Sequence, residues 1–315
     1  MSNHQPALSV VMQAGEERLR AKACLASLIR QEPIEQMEII LLDYALKEHG
    51  ILPGANHPSV DLIERPRYES IGVSRALGAQ RAHAPVVAYI EDHCVALEGW
   101  AQAIITAHDQ GWKAIGCEMH TGNPGAGISD AIALMNYARW LPPARRGVDS
   151  LLPGHNVAYD RQLLLSFGDR LADLLCSDPL LQWKIQQAGY DLFLEPGMKV
   201  AHTNETDIGT IVRGYYYWNR VFAVNRAALF SWPTAKKVLW VTLFPLIPPV
   251  RIFKLMAYLL RERPNLLPSF ASSLWVQVVA HYAAAAGQAA GFLFGKGCAE
   301  VEFLKYELNQ PRRSA

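Results

Sequence analysis

Several features that define protein classes are missing from this chain of 315 residues. Its five cysteines, Cys24, Cys94, Cys117, Cys176 and Cys298, are odd in number, widely spaced and contain no Cys-x-x-Cys pair. That spacing excludes a zinc ribbon and argues against a disulfide scaffold, so a reducing, cytosol-facing setting is expected. Neither sign of charge dominates, with 30 Lys and Arg against 29 Asp and Glu. No global field therefore recruits nucleic acid, and binding must come from a local site. The opening MSNHQPALSVVMQAG has no basic stretch leading into an apolar one, so no signal peptide is expected there. VVMQAGEER holds one glycine where a dinucleotide-binding turn needs Gly-x-Gly-x-x-Gly, which argues against a dinucleotide-dependent oxidoreductase. No internal repeat is visible.

What is present is apolar surface. Half the residues are hydrophobic and the mean hydropathy is +0.04, high for a soluble enzyme, so some stretch must be unusually rich in apolar side chains. In the first two hundred residues the pattern alternates. LSVVM (8–12), MEIILLDY (37–44), SVDLIERP (59–66) and APVVAYIEDHC (84–94) read as strands, with helical spacing over 16–30 and 71–84 between them. Continuous apolar runs mark strands buried on both faces, as in a parallel sheet. The alternation predicts an α/β, doubly wound sheet with right-handed crossovers, in which ligands bind beyond the carboxyl ends of strands. Further on, 100–111, 128–141 and 179–189 read as helices, 113–119 as a strand, and YDLFLEPGMKVAH as a strand leading to His202.

Two of the strand ends carry acids. Asp43 closes an apolar run, where a carboxylate can accept from the imide N–H of a uracil ring or cap the next helix. Glu91, Asp92 and His93 follow VVAYI directly. Three consecutive ionisable groups after a buried strand need water, a partner or a metal, and a cation bound to a diphosphate would supply one. Mg²⁺ prefers oxygen ligands, whereas Mn²⁺ also accepts imidazole, so His93 tilts the choice toward Mn²⁺. A solvated turn is the alternative. Beyond the alternating region, Arg213 and the run Tyr215 to Arg220 offer a cation and flat rings; Trp218 is a candidate for stacking on an acceptor sugar, and an interfacial aromatic belt explains the run equally well.

These motifs, in this order, resemble family 2 glycosyltransferases of the GT-A fold. The central signature is Gly78, Ala82, Ala84, an apolar strand, Glu91-Asp92-His93-Cys94 and Gly99-Trp100. In that family the strand usually ends in Asp-x-Asp, and here Glu91 and His93 replace the two acids. EIILLDY resembles the second strand, with Asp43 in the base-contacting position and Tyr44 replacing a second Asp. The segment from Gly154 through Asn156 to Tyr159 is similar to the Gly-x-Asn-x-Ala stretch lining the acceptor side. Cys176-Ser177-Asp178, eleven residues before Gly189, resembles the Glu-Asp motif whose second acid is the catalytic base, with Ser177 replacing Glu. Glu195-Pro196 and Val200-Ala201-His202 resemble a stretch ending in a His that reaches the metal or the diphosphate.

The resemblance implies an inverting transferase that moves a sugar from a nucleotide-sugar donor, UDP-linked by expectation, to a lipid-linked or polysaccharide acceptor. It implies Asp178 as base, Asp43, Arg75, Glu91 and Asp92 on the donor side, His93 and His202 as ligands of Mn²⁺ or Mg²⁺, and Gly154, Asn156 and Trp218 on the acceptor side. A catalytically degenerate relative serving as a membrane scaffold is the competing reading, motivated by Tyr44, Glu91, His93 and Ser177.

The composition changes near residue 234. Two apolar stretches, TAKKVLWVTLFPLIPPVRIFKLMAYLL and SFASSLWVQVVAHYAAAAGQAAGFLFG, are separated by RERPNLLP, and the first is flanked by Lys236, Lys237, Arg251, Lys254, Arg261 and Arg263. GQAAGFLFGKG (287–297) is similar to the C-terminal membrane end of some family members. The expected division is a GT-A domain over 1–233 and a hydrophobic, membrane-associated helical region over 234–315, with membrane lipids as partners at the cytoplasmic face of the cell membrane. A full span, an interfacial helix and a buried helical hairpin all remain open.

Overall fold

A computed structural model describes residues 5–125, 127–154 and 156–312. The elements run β1 (Leu8–Ala14), α1 (Arg18–Ile29), β2 (Met37–Asp43), α2 (Leu46–His49), β3 (Val60–Glu64), α3 (Ile71–Arg81), β4 (Val86–Ile90) and β5 (Cys94–Ala96). They continue with α4 (Trp100–Asp109), β6 (Ala114–Thr121), α5 (Ile128–Tyr137), β7 (Gly147–Asp149), β8 (Val157–Asp160), α6 (Arg161–Leu165), α7 (Leu171–Leu175), α8 (Asp178–Gln187) and β9 (Leu192–His202). Five helices follow: α9 (Ile208–Leu229), α10 (Thr234–Thr242), α11 (Ile247–Glu262), α12 (Leu267–Phe294) and α13 (Ala299–Asn309). Two compact units result: the chain up to Gly122 with Trp140–His202, and Asn123–Arg139 with the chain from Thr203 onward. The composition change near residue 234 falls inside the second unit.

The first unit is built on a mixed sheet in the order β3-β2-β1-β4-β8-β6-β9-β5, with β7 on β9. β1 pairs in parallel with β2 and β4, and β2 with β3, so the expected parallel half is present. β1, β2 and β4 are buried on both faces, as their apolar runs require, whereas the edge strand β3 is half-buried. α3 lies close on β1 because Gly78 carries no side chain: a Cβ there would fall 2.5 Å from Val11 Cγ1. The sheet turns mixed at β8, which is antiparallel to both β4 and β6. β9 runs parallel to β6, with a register shift at Cys117/Glu118 that accommodates Pro196, a residue without an N–H for the ladder.

The strand read over 84–94 is two strands. β4 stops at Ile90, a turn closes with the Cys94 N–H donating to the Glu91 carbonyl at 3.0 Å, and β5 leaves to pair antiparallel with β9. The turn takes Glu91, Asp92 and His93 out of the β4 ladder, and Asp92 and His93 stay buried beside partners, Arg20 and His202, as buried ionisable groups require.

The second unit is helical. Residues 208–229, singled out in the sequence only for their aromatic run, form one helix of 22 residues capped by Asp207, whose side chain accepts from the Thr210 N–H at 2.8 Å. α9 packs closely on α12, since a Cβ at Gly287 would lie 2.2 Å from the Tyr216 carbonyl oxygen. α5 joins this core through Ala131 and Ile132 against Ile211, Val276 and Ala280. The polar residues Gln277, His281 and Gln288 of α12 are buried, and Gln288 donates to Asn219 Oδ1 at 2.9 Å. Among the described residues no single helix is long and apolar enough to cross a membrane; α10 and Phe244–Glu262 together reach that length and composition, across a 55° bend.

Candidate active site

Everything that follows in this subsection, apart from Trp218, lies in the first unit. The β5–β9 register places Cys94 directly opposite His202, and directly paired residues project from the same face of a sheet. The turn before β5 brings Glu91 and His93 to that face. His93 Nε2 lies 3.1 Å from His202 Nε2 and 3.1 Å from Glu91 Oε2, and His202 Nε2 lies 3.4 Å from the same oxygen. Two ring nitrogens at that distance share either one proton or one cation.

The dimensions fit a metal ion. With metal–ligand bonds of roughly 2.0 to 2.2 Å, neighbouring donors are about 3.0 Å apart in an octahedron and about 3.4 Å apart in a tetrahedron. The three edges of the Glu91, His93 and His202 triangle lie between these limits. One ligand atom from each of Glu91, His93, Cys94 and His202 lies within 4.8 Å of every other.

Asp92 stands behind this triangle. Its Oδ1 is 3.1 Å from His93 Nδ1 and 3.2 Å from Arg20 Nη2, and its Oδ2 is buried without a hydrogen-bond partner. A carboxylate on Nδ1–H fixes the tautomer and leaves Nε2 with a lone pair toward Glu91 and His202. Asp92 therefore orients His93. Cys24, whose thiol donates to the Glu91 carbonyl at 3.4 Å, has its pKa raised by burial and, secondarily, by Asp92 and Glu91.

Asp43 ends β2 as expected and is fully buried, but its carboxylate is engaged. Arg18 binds it through both oxygens at 2.7 and 2.9 Å, and the Ala45 N–H donates to Oδ1 at 2.9 Å. Tyr44 stacks on Tyr68 with ring centroids 5.0 Å apart and hydrogen-bonds Ser74.

Asp178, the first residue of α8, is buried and paired with Arg75 at 3.2 Å, while Arg75 also donates to the Leu175 carbonyl. Arg75, expected on the donor side, thus sits beside the candidate base. Gly154 is a glycine because a Cβ there would lie 2.1 Å from Asp178 Cβ. Two residues later, Asn156 donates from Nδ2 to Cys94 Sγ at 3.4 Å. A dipeptide step spans at most about 7 Å, so this short segment joins Asp178 to the donor cluster. His155, between them, lies outside the described residues. Asn156 Oδ1 and Ser177 Oγ are buried without partners, as Asp92 Oδ2 is. Buried orphan polar atoms are uncommon, and these three belong to residues of the site or next to it in the chain.

Trp218 belongs to α9 in the second unit, half-buried and stacked on Phe222 at 5.4 Å. Arg18 and Arg20 were not singled out from the sequence, although a signal existed. Two cations in the first turn of α1 oppose the helix dipole and so require nearby acids, which Asp43 and Asp92 supply. Cys94 was quoted without a role.

No protein-family model matches the chain, and no curated protein matches its sequence. Its fold does match solved glycosyltransferases. It is similar to the crystal structure of GalNAc-T7 with UDP, GalNAc and Mn²⁺ (TM-score 0.51, 18% identity), covering 71% of this chain and 48% of that one, so this chain spans about half of that protein's length. It is also similar to the mannosyltransferase PcManGT from Pyrobaculum calidifontis in complex with GDP-Man and Mn²⁺ (TM-score 0.51, 18% identity), covering 98% of this chain and 89% of that one. The fold is therefore the GT-A type, a mixed α/β sheet, with helices at its C-terminal end.

Proposed function

We propose that this protein is a metal-dependent glycosyltransferase using a nucleoside-diphosphate sugar. The observation that carries the reading is the donor triangle of Glu91, His93 and His202 at the carboxyl end of β4, joined by Gly154–Asn156 to the Asp178–Arg75 pair. Both similar structures hold Mn²⁺ together with a nucleotide or nucleotide sugar, UDP in one and GDP-mannose in the other, so the fold leaves the donor base open. A bound Mn²⁺ or Mg²⁺ held by Glu91, His93 and His202 would neutralise charge on the departing diphosphate.

The chain's own residues do the rest. Asp178 takes the proton from an acceptor hydroxyl as that oxygen bonds to the anomeric carbon and the carbon–diphosphate bond breaks. Arg75 holds the Asp178 carboxylate in place. Attack from the face opposite the leaving group inverts the anomeric centre, as in family 2. Asn156 Oδ1 is left to accept from acceptor hydroxyls, and Ser177 Oγ to accept from or donate to them.

The acceptor in this reading is lipid-linked or a polysaccharide presented at the cytoplasmic face of a membrane. Support comes from the second unit, where residues 208–299 contain ten Lys or Arg against the single acid Glu262. Large apolar side chains stand exposed on α10 to α12 and the turn between the first two, among them Leu246, Val250, Phe253 and Trp275. Apolar and basic surface together suit an interface with anionic lipid.

The test is a thermal shift measurement with UDP and GDP, with and without Mn²⁺, followed by a donor screen for nucleotide-sugar hydrolysis. Metal-dependent stabilisation by a nucleoside diphosphate is expected. No response to any nucleotide, with or without metal, would favour the scaffold reading. Sedimentation with phosphatidylglycerol vesicles tests the lipid contact, and a protein left in the supernatant would refute it.

A further inference from the structure

Cys94 is not needed by the transfer chemistry above, yet its sulfur sits in the cluster. Its pairing with His202 puts both side chains on one face, and its Sγ is within 4.8 Å of the Glu91, His93 and His202 donor atoms. Asn156 Nδ2–H points at the sulfur from 3.4 Å, a contact that suits a thiolate acceptor. The full donor set is two imidazole nitrogens, one carboxylate oxygen and one sulfur.

Such a set has a preference of its own. Sulfur ligands select Zn²⁺ and Co²⁺ over Mg²⁺, and Mn²⁺ stands lowest in the divalent affinity series. Four protein donors saturate a tetrahedral ion and leave it no open position. A six-coordinate ion held by the two imidazoles and the carboxylate alone keeps three positions for diphosphate oxygens and water.

We propose that Cys94 is a fourth metal ligand, closing the cluster into a tetrahedral site for a Zn²⁺-class ion that shuts out the nucleoside diphosphate. The proposal rests on the reading that Glu91, His93 and His202 bind a divalent cation. As the sulfur–metal bond forms, the Cys94 thiol proton passes to solvent, so no oxidant or reductant is involved. Cys94 then sets metal selectivity: one ion class opens the site to donor, the other occupies it as an inhibitor.

Cobalt reports the difference. Titrating the full-length protein with Co²⁺ should produce an intense near-ultraviolet thiolate-to-cobalt band that saturates at one equivalent and is abolished by Zn²⁺. His93→Ala should lose the band, whereas Cys298→Ser, which removes the exposed thiol, should keep it. Cys94→Ser should lose the band, bind Mn²⁺ like the parent, and bind Zn²⁺ more weakly by over the ~10-fold that loss of an outer partner costs. Zn²⁺ should suppress UDP-induced thermal stabilisation in the parent and not in Cys94→Ser. If Cys94→Ser does not fold, the band in the parent and in Cys298→Ser decides.

Stoichiometric Co²⁺ binding without the near-ultraviolet band would overturn the role of Cys94 and leave the metal–donor reading standing. Failure of Co²⁺, Zn²⁺ and Mn²⁺ all to bind would overturn both.

Discussion

Replacing Asp92 by Asn perturbs the metal cluster without removing any atom of the Glu91, His93 and His202 triangle. In the parent, Oδ1 lies 3.1 Å from His93 Nδ1 and 3.2 Å from Arg20 Nη2. The isosteric amide can still accept from His93, but it brings no negative charge to His93 or Arg20. Loss of an outer partner of a metal-bound imidazole typically costs 10–100-fold in metal affinity, or about 1.4 to 2.8 kcal/mol. Because Asp92 divides its charge between His93 and Arg20, the loss should fall near the lower end, about tenfold. Asp92→Ala, which also removes the hydrogen bond, should lose more. Isothermal titration with Mn²⁺ measures both, and melting curves in EDTA separate metal affinity from fold stability. Wild-type affinity in both variants would refute the orienting role. A loss in Asp92→Ala as complete as in His93→Ala would make Asp92 a ligand itself.

Three further outcomes are expected. Asp178→Asn should lower turnover by about 10²- to 10⁴-fold, the usual worth of a general base, while nucleotide affinity by titration stays near wild type. Gly154→Ala places a Cβ 2.1 Å from Asp178 Cβ and 2.4 Å from its Cγ, forcing the carboxylate to move; an ångström of displacement costs about 100-fold in rate, with Mn²⁺ affinity retained. In the second unit, burial and the nearby Arg251 lower the His281 imidazole from 6.5 to about 4. It is neutral in the fold near pH 6, whereas the unfolded chain takes up a proton there, so its contribution is present above pH 6.5 and lost as pH falls toward 4. That loss reaches about 3 kcal/mol, and His281→Gln should gain on the parent by that order between pH 7 and pH 4 in urea denaturation.

The parallel half of the sheet was legible because β1, β2 and β4 are unbroken apolar runs, and the acids that end them follow without a gap. Asp43, Glu91, Asp92 and His93 were found by that local rule. Their cationic partners Arg18 and Arg20 were not, and His202 entered only through the family resemblance, since each contact is fixed by distant pairing. His202 meets His93 only through the β5–β9 ladder, and Asp178 meets Arg75 across 103 residues of chain. The split of APVVAYIEDHC into two strands was hidden because Cys94 and Val95 extend the apolar pattern past the turn. α9 was hidden for another reason: its Tyr and Trp run mimics a strand or belt, and the pattern becomes helical only when Ile211, Gly214, Asn219 and Phe222 are seen buried on one side.

The departures from Asp-x-Asp change the charge of the site in a way that bears on its chemistry. Two acids on a divalent ion would cancel its charge before any substrate arrived. Here Glu91 is the triangle's one acid, His93 and His202 are neutral donors when metallated, and the charge of Asp92 is spent on Arg20 and on the far nitrogen of His93. In the proposed function, an ion so held would keep about one positive charge, which the diphosphate would meet as it departs. Electrostatic stabilisation is greatest where the complementary charge is left for the transition state to satisfy. In the proposed function, a histidine where a second acid could stand would give up some ground-state hold on a hard cation and leave more of the ion's charge for the leaving group, which fits a working site with Asp178 as base better than a decayed one. An inert scaffold would have no reason to keep Asp92 aligned behind His93, with Oδ2 buried and without a partner.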